Sequence, residues 1–599
     1  MRWLLLVAGA AILAVIAAVV LVLPFGGSEP TAARSPVAKP SSTLPTPKVS
    51  EFTDPCGTFD TGEIAPYAVT GYWITPKSNP CTWRKQLQEI HRVGGDTIIR
   101  IGYGLQFRTV TASGQVRTKD GEIDSLYQAC VEDGMSCHDA AERDLKAANP
   151  KNRIGRVYVY RTDEAFGPGL YRCPQMEHSI EAGKRIYYRL ITQADGSDDA
   201  TCDFSSKAQS YDMILVAGSP SDSLRELLDL GDRFGMRIFP ALPLAPRDHQ
   251  TPTRAEKRHI GTLTTLTRRI LQDYGRRFAD RESLGGVYQP FEVQMSATLA
   301  SNPTLEVYAD QHRIVQQELP GKPILISPYL DARKRVAFGQ TPKQVAEGFK
   351  ALARTGVGII APQDSRGTGK VGLFWPDERD TEVDERLRPV VGESTYGTAY
   401  HGSTRDYYRA MSEARDQMID EGHHVQLWAN VEVFEPSGDK PCAPTGTRGK
   451  TDKQRLDQAV TMAGRYVQKI VSYMWSDFMT CGEPSIEQEV IKDWQRPIAV
   501  DAIRRPREAD DGVEVRGYNL DLGTVTIQWS GGTEERDIAS TGYLDRDPIE
   551  EELPEGMAAA WVPFDWTRVP PGEWVRIGVR LPSGQATTEQ LHVRIAAPA

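Results

Sequence analysis

Residues 286–327 read GVYQPFEVQMSATLASNPTLEVYADQHRIVQQELPGKPILIS. Both ends of this stretch, 286–292 and 323–327, are short β-rich runs. Between them Leu305, Tyr308, His312, Val315 and Leu319 recur at steps of three and four, one apolar stripe of a helix. Strand, helix and strand in succession make a βαβ unit, and the same alternation extends in both directions. Further strand-like runs are 69–75 (VTGYWIT), 97–103 (TIIRIGY), 236–242 (MRIFPAL), 358–363 (GIIAPQ), 425–432 (VQLWANVE) and 470–475 (IVSYMW). Two more helical stripes are plain: Ile260, Leu263, Leu266, Ile270, Tyr274 and Phe278, then Leu456, Val460, Ala463, Val467 and Ile470. Eight strand–helix units in one body predict a closed (β/α)8 barrel, of α/β class, over residues 51–497. A doubly wound sheet rarely needs eight near-equivalent units.

One gap breaks the rhythm. Residues 104–224 separate the second strand from the next helix, and they carry four cysteines and the runs 155–160 (GRVYVY) and 213–217 (MILVA). A structureless loop of that length is improbable, so an inserted subdomain after strand two is expected, on the face where βα loops emerge. It is either a stabilising cap or a wall of the cleft. From 498 to 599 short alternating strands separated by Gly and Pro turns predict an all-β, immunoglobulin-like sandwich.

The amino terminus bears on the compartment. Residues 3–23 carry no charged or polar side chain and are followed by Pro24. At about 1.5 Å per residue such a helix is about 31 Å long, the thickness of a bilayer's hydrocarbon core. Residues 1–25 are therefore expected to be a signal-anchor transmembrane helix, with a cleaved signal peptide as the alternative. Arg2 keeps the short end cytoplasmic and places the bulk of the chain outside the cell membrane, as a single-pass protein. Residues 26–50, rich in Pro, Ser and Thr, read as a flexible linker.

Composition narrows the function classes. An apolar share of 40% and a charged share of 25% fit a packed globular body and exclude a polytopic membrane protein. A net charge of −10 offers no overall positive field for nucleic acid. All eight cysteines lie beyond the linker, and no C-x-x-C or Cys/His cluster suggests a metal, so disulfides are expected. Cys442 and Cys481 follow strands seven and eight on one face and are predicted to bond. Sequence proximity suggests Cys56–Cys81, Cys130–Cys137 and Cys173–Cys202.

In such a barrel, function resides at the carboxyl ends of the strands. Those ends supply Glu292, Tyr329, Asp331, Asp364, Glu432 and Asp477. Two carboxyls facing each other across a barrel mouth are what cleavage of a glycosidic bond requires: one protonated to serve the leaving oxygen, the other ionised. Alternation puts Trp428, Asn430 and Glu432 on one face of strand seven, a mixture of aromatic, amide and carboxylate that suits sugars. The candidate catalytic residues are Glu292 as acid/base, Glu432 as nucleophile or base, and Asp364. Candidate substrate-binding residues are Trp73, Tyr103, Tyr288, Tyr329, Trp428, Asn430, Trp475 and Asp477. The expected activity is a membrane-anchored, extracytoplasmic glycoside hydrolase of the cell envelope acting on a poly- or oligosaccharide, with no cofactor, metal or nucleic-acid partner. A non-catalytic glycan-binding or structural envelope protein is the alternative.

At these residues the chain resembles a bacterial family, domain of unknown function 4434, classed with glycosidase-like TIM barrels. The segments that carry the resemblance are GYWITP, GGDTIIRIGYG, the strand ending in Glu292, ILISPYLD, IIAPQDSRGTG, LWANVEVFEP and IVSYMWSDF, spread over residues 69–480 without most of the insertion. The resemblance implies that Glu292, Asp364 and Glu432 line the cleft with Tyr329 beside them. Many retaining barrels of the related clan have Asn directly before the acid/base Glu; Phe291 stands there in this chain. Residues 367–372 (GTGKVG) satisfy G-x-G-x-x-G, but no helix opens from them, and they read as a loop beside Asp364. His423 and His424 precede strand seven, at the end opposite the cleft.

Overall fold

The structure, a computed structural model, describes residues 56–594 apart from 58–61, 78, 112, 252, 439, 443–445, 508–509, 547–553 and 555. The expected membrane helix (1–25) and linker (26–50) lie outside the described residues. Among the described residues no helix is long and apolar enough to cross a membrane.

The barrel strands are β1 (Gly71–Ile74), β2 (Thr97–Arg100), β3 (Arg237–Pro240), β4 (Val287–Gln289), β5 (Ile324–Ile326), β6 (Ile359–Ile360), β7 (Gln426–Glu432) and β8 (Lys469–Tyr473). They pair in parallel in the order β3-β2-β1-β8-β7-β6-β5-β4. The seam between β3 and β4 is closed by bridges, Ile238 with Leu284 and Ala241 with Tyr288. There Leu242 N donates to Tyr288 O at 2.8 Å and Gly285 N to Ile238 O at 3.0 Å. The eight strands thus form a (β/α)8 barrel.

Helices follow the strands in turn: α1 (Pro80–Arg92), α2 (Ser223–Phe234), α3 (Ile260–Phe278), α4 (Thr304–Glu318), α5 (Pro342–Ala353), α6 (Thr404–Asp420), α7 (Lys453–Ala463) and α8 (Ile486–Lys492). Their ends are chemically marked. Thr341 with Gln344 and Ser403 with Asp406 form capping boxes that satisfy the first free N–H groups of α5 and α6. Gly235 takes the left-handed conformation that ends α2 (φ 67°), where any Cβ would be strained. Side chains fill the barrel: Trp73, Ile99, Phe239, Tyr288, Leu325, Trp428 and Val471 form one buried cluster, and a larger apolar layer lies between strands and helices.

The insertion forms a six-stranded sheet around the parallel pair Arg153–Arg161 and Ser210–Ala217, over its own apolar core. It is bolted to α3 by buried charges. Arg269 donates to Glu177 at 2.7 Å and to Asp198 at 2.6 Å, while Glu164 accepts from Arg100 of β2 at 2.5 Å and from Tyr274 at 2.6 Å. The carboxy-terminal region is a sandwich of two four-stranded antiparallel sheets, one containing Gly512–Tyr518 and the other Thr524–Trp529. Three of its strands, Ile498–Arg504, Gly532–Asp537 and Tyr543–Asp545, lack the alternation that marked the others in the sequence.

All four expected disulfides are present, which fits an oxidising compartment. Cys442–Cys481 joins positions 39 residues apart. In the chain-entropy model a loop of that size is stabilised by about 4 kcal/mol. Replacing both cysteines by Ser is expected to lower the midpoint of thermal unfolding, read by calorimetry, while the far-ultraviolet dichroism of the folded protein stays unchanged.

Candidate active site

The upper ends of β4 to β7 carry an arc of polar side chains. Glu292, three residues beyond β4, is solvent-exposed and accepts a 3.1 Å hydrogen bond from Gln363 Nε2. Gln363 also reaches Ser327 O at 3.3 Å and pairs with Asn430 across to β7. Asn430 in turn donates to Ser327 Oγ at 3.0 Å, and its own Oδ1 has no hydrogen-bond partner among the described residues. Two residues further along β7, Glu432 is only 2% exposed. Its Oε2 accepts from the backbone N of Thr368 at 3.0 Å.

The loop after β6 supplies that donor. Ser365 (φ 56°) and Gly369 (φ 72°) turn the chain through left-handed conformations, and Thr368 is thereby aimed at Glu432. The G-x-G-x-x-G sequence is thus a turn beside the carboxylates. Asp364, fully buried, accepts from Arg366 N at 3.1 Å and Glu432 N at 3.3 Å through Oδ1, while Oδ2 has no hydrogen-bond partner among the described residues.

The environment acts on both carboxyls. Burial, and then the neighbouring Asp364 charge, push the Glu432 carboxyl up to about 8, against the pull of Lys370 and the Thr368 N–H. Burial also raises the Asp364 carboxyl, against the opposing pull of Arg455 and two backbone N–H groups. Burial of the carboxyl also raises Glu292, with Gln363, Arg247 and Lys370 opposing. Lys370 therefore attracts both glutamates, and it lies 4.4 Å above the ring of half-buried Tyr329. Tyr473 feels the charges of Glu292, Asp477 and Glu432 together.

The aromatic expectations divide. Tyr329 belongs to this arc, and exposed Asp477 lies at its rim in a left-handed conformation (φ 73°). Tyr288 sits below Glu292, edge-on to Trp73 with ring centroids 5.9 Å apart; both rings are barrel filling. Trp428 is a correction. It shares the inner face of β7 with Glu432, but four residues at about 3.3 Å each put it about 13 Å lower. There it packs on Phe239 and bonds Gln426. Trp475 is a second correction: β8 ends at Tyr473, its alternation lapses, and Trp475 turns outward against Tyr72 with its indole N 3.4 Å from Glu89 of α1. Tyr103 faces a side pocket of about 360 Å³ formed with the insertion, beneath Arg161. A cavity of about 1640 Å³ opens at the lower end of the barrel, where Thr97, Arg237, Gln426, Lys469 and His424 line it. No candidate carboxylate borders it.

Gln363, Thr368 and Lys370 were missed by sequence reading. Their only signal was adjacency to Asp364.

A carboxyl whose pKa is raised on folding binds more protons in the folded state than in the unfolded chain between the two pKa values. Stability then falls as pH rises through that window, here from about 4.5 to about 8 for Glu432. Denaturant titrations across this range should show the decline in the wild type and a flatter profile in Glu432→Gln.

Residues 200–488 match the family model described as domain of unknown function DUF4434, and residues 117–216 match a second, domain of unknown function DUF8405. The first match begins within the insertion, so β1 and β2 lie outside it; the second covers most of the insertion. No curated protein matches the chain. Among solved structures, a candidate alpha-L-fucosidase from Bacteroides thetaiotaomicron is similar at 14% identity, over 71% of this chain and 91% of that one, with a TM-score of 0.37. An endo-beta-1,4-mannanase from Thermotoga petrophila is similar at 9% identity, over 89% and 98%, with a TM-score of 0.34. A beta-galactosidase from Marinomonas ef1 is similar at 10% identity, over 71% and 59%, with a TM-score of 0.33. The barrel assignment rests on the strand order. Residues 200–488, which match the model described as domain of unknown function DUF4434, hold β3 to β8 and all three candidate carboxylates.

Proposed function

We propose that the chain is an extracytoplasmic glycoside hydrolase, held at the membrane by its apolar amino terminus and acting on a poly- or oligosaccharide. One observation carries the reading. Burial and the Asp364 charge push the Glu432 carboxyl up to about 8, while Glu292 stands on the same arc, exposed and hydrogen-bonded to Gln363. Hydrolysis of an acetal needs this pair of unlike carboxyls. The environment favours the reverse of the roles expected from sequence, with Glu432 as proton donor and Glu292 as the ionised partner that attacks the anomeric carbon or activates water. Asp364 is then a positioning residue, because its charge keeps the proton on Glu432. Tyr329, Asn430 and Asp477 are the groups nearest to hand for sugar faces and hydroxyls.

A second reading has its own support. Glu432 is almost fully covered and already bonded to Thr368 N, as a structural carboxyl would be. On that reading the barrel binds glycan without cleaving it.

A panel of envelope and plant glycans, assayed for new reducing ends, separates the two. Hydrolysis by the wild type should fall by about 10³-fold or more in Glu432→Gln and Glu292→Gln with the fold intact. Unchanged glycan binding with no hydrolysis by any form would favour the binder. For the enzyme, kcat should decline as pH rises through about 8, where Glu432 loses its proton.

A further inference from the structure

Outside the barrel mouth, a group of ligand-type side chains converges where the loop after β6 meets the sandwich. Glu378 from that loop, together with Glu589 and His592 from the last sandwich strand and its approach, place one ligand atom each within 4.8 Å of one another. Ligands of one tetrahedral ion at about 2.0–2.2 Å lie about 3.3–3.6 Å apart, so a small inward turn of these side chains would bring all three onto an ion.

The histidine is prepared in a specific way. Its side chain is only 5% exposed, and its ring stacks on Trp375 with centroids 5.0 Å apart. Nδ1 lies 2.7 Å from Asp377 Oδ1. A carboxylate at that distance accepts a hydrogen bond from Nδ1–H and so leaves the imidazole lone pair on Nε2, for which no hydrogen-bond partner occurs among the described residues. The carboxylate–histidine pair is the usual outer support of a metal-bound imidazole.

The two glutamates are neutralised only in part. Glu589 accepts from the indole N–H of Trp375 at 2.9 Å and from Gln458 Nε2 at 3.3 Å, both uncharged donors, and Glu378 Oε2 accepts from Trp375 N at 2.8 Å. A cation at the centre would be shared by the two carboxylates and satisfy the imidazole nitrogen at once.

We propose that Glu378, Glu589 and His592 bind a divalent first-row transition ion, with zinc the favoured occupant, and that this ion clamps the sandwich to the barrel. One imidazole with two carboxylates suits zinc better than calcium or magnesium, which take oxygen ligands alone. Three protein ligands leave a fourth position for water.

The test uses the full chain stripped with a chelator, dialysed against zinc and analysed by mass spectrometry for bound metal. The wild type should retain about one zinc per chain, as a three-ligand site predicts. Retention should drop at least tenfold in His592→Ala and in Glu378→Gln. The second variant keeps an acceptor for Trp375 N, so it reads the site even where His592→Ala disturbs the interface. The unfolding midpoint should rise with zinc in the wild type and not in either variant. Absence of retained zinc in the wild type, or equal retention by Glu378→Gln, would overturn the proposal.

Discussion

The site depends on a buried ion network beneath it. Glu435, just past β7, accepts from Arg366 at 2.9 Å and from Arg455 at 3.2 Å, and also from Thr451. Arg366 and Arg455 are each 1% exposed. Burial alone would raise the Glu435 carboxyl; Arg455 and Arg366 outweigh it and hold it below its ordinary value. Arg455 also donates to the carbonyls of Glu432 and Phe434, at 2.5 and 3.0 Å, which fixes the end of β7. Arg366 reaches Asp384 at 2.9 Å and so fixes the loop that carries Thr368. Loss of one member of such a network leaves a bare buried charge, at a cost of about 3–5 kcal/mol.

That network gives the carboxyls their difference. Asp364 and Glu432 are near neighbours in a dry environment, where two negative charges repel strongly. The loop and β7 point two backbone N–H groups at Asp364 and one at Glu432. Donors fixed in this way need no rearrangement when charge develops. Glu292 stands apart, on the solvent side, tied to the rest through Gln363 and Ser327.

The accessory regions follow the same physical rule at larger scale. The insertion meets α3 through Arg269, Glu177 and Asp198, and the sandwich meets α6 where Arg405 donates to Val500 O at 3.1 Å and Asp501 at 3.2 Å. Both contacts bury arginines against carboxylates or carbonyls, so each is specific in position. The insertion also meets the carboxyl end of β2, where Arg100 donates to Glu164 at 2.5 Å beside the pocket at Tyr103.

By itself the sequence determined what repeats. Period-2 runs and 3.6-period stripes depend on near neighbours, so all eight barrel strands and the helices α2, α3, α4 and α7 were legible, although the stripe read through Ile470 breaks after Ala463, where α7 ends and the chain turns into β8. The strand ends followed from them, and with these Glu292, Asp364 and Glu432. Cysteine spacing gave the four disulfides. Only the tertiary structure decided which side chains share a space. Trp428 and Trp475 looked like cleft residues because strand position is local, whereas height along β7 and the lapse of alternation after Tyr473 are not. Gln363, Lys370 and Arg455 were invisible because each matters through a partner distant in sequence. The proton on Glu432 belongs to the same class: it arises from burial and from a neighbour 68 positions away in the chain, and neither can be read from the residues beside it.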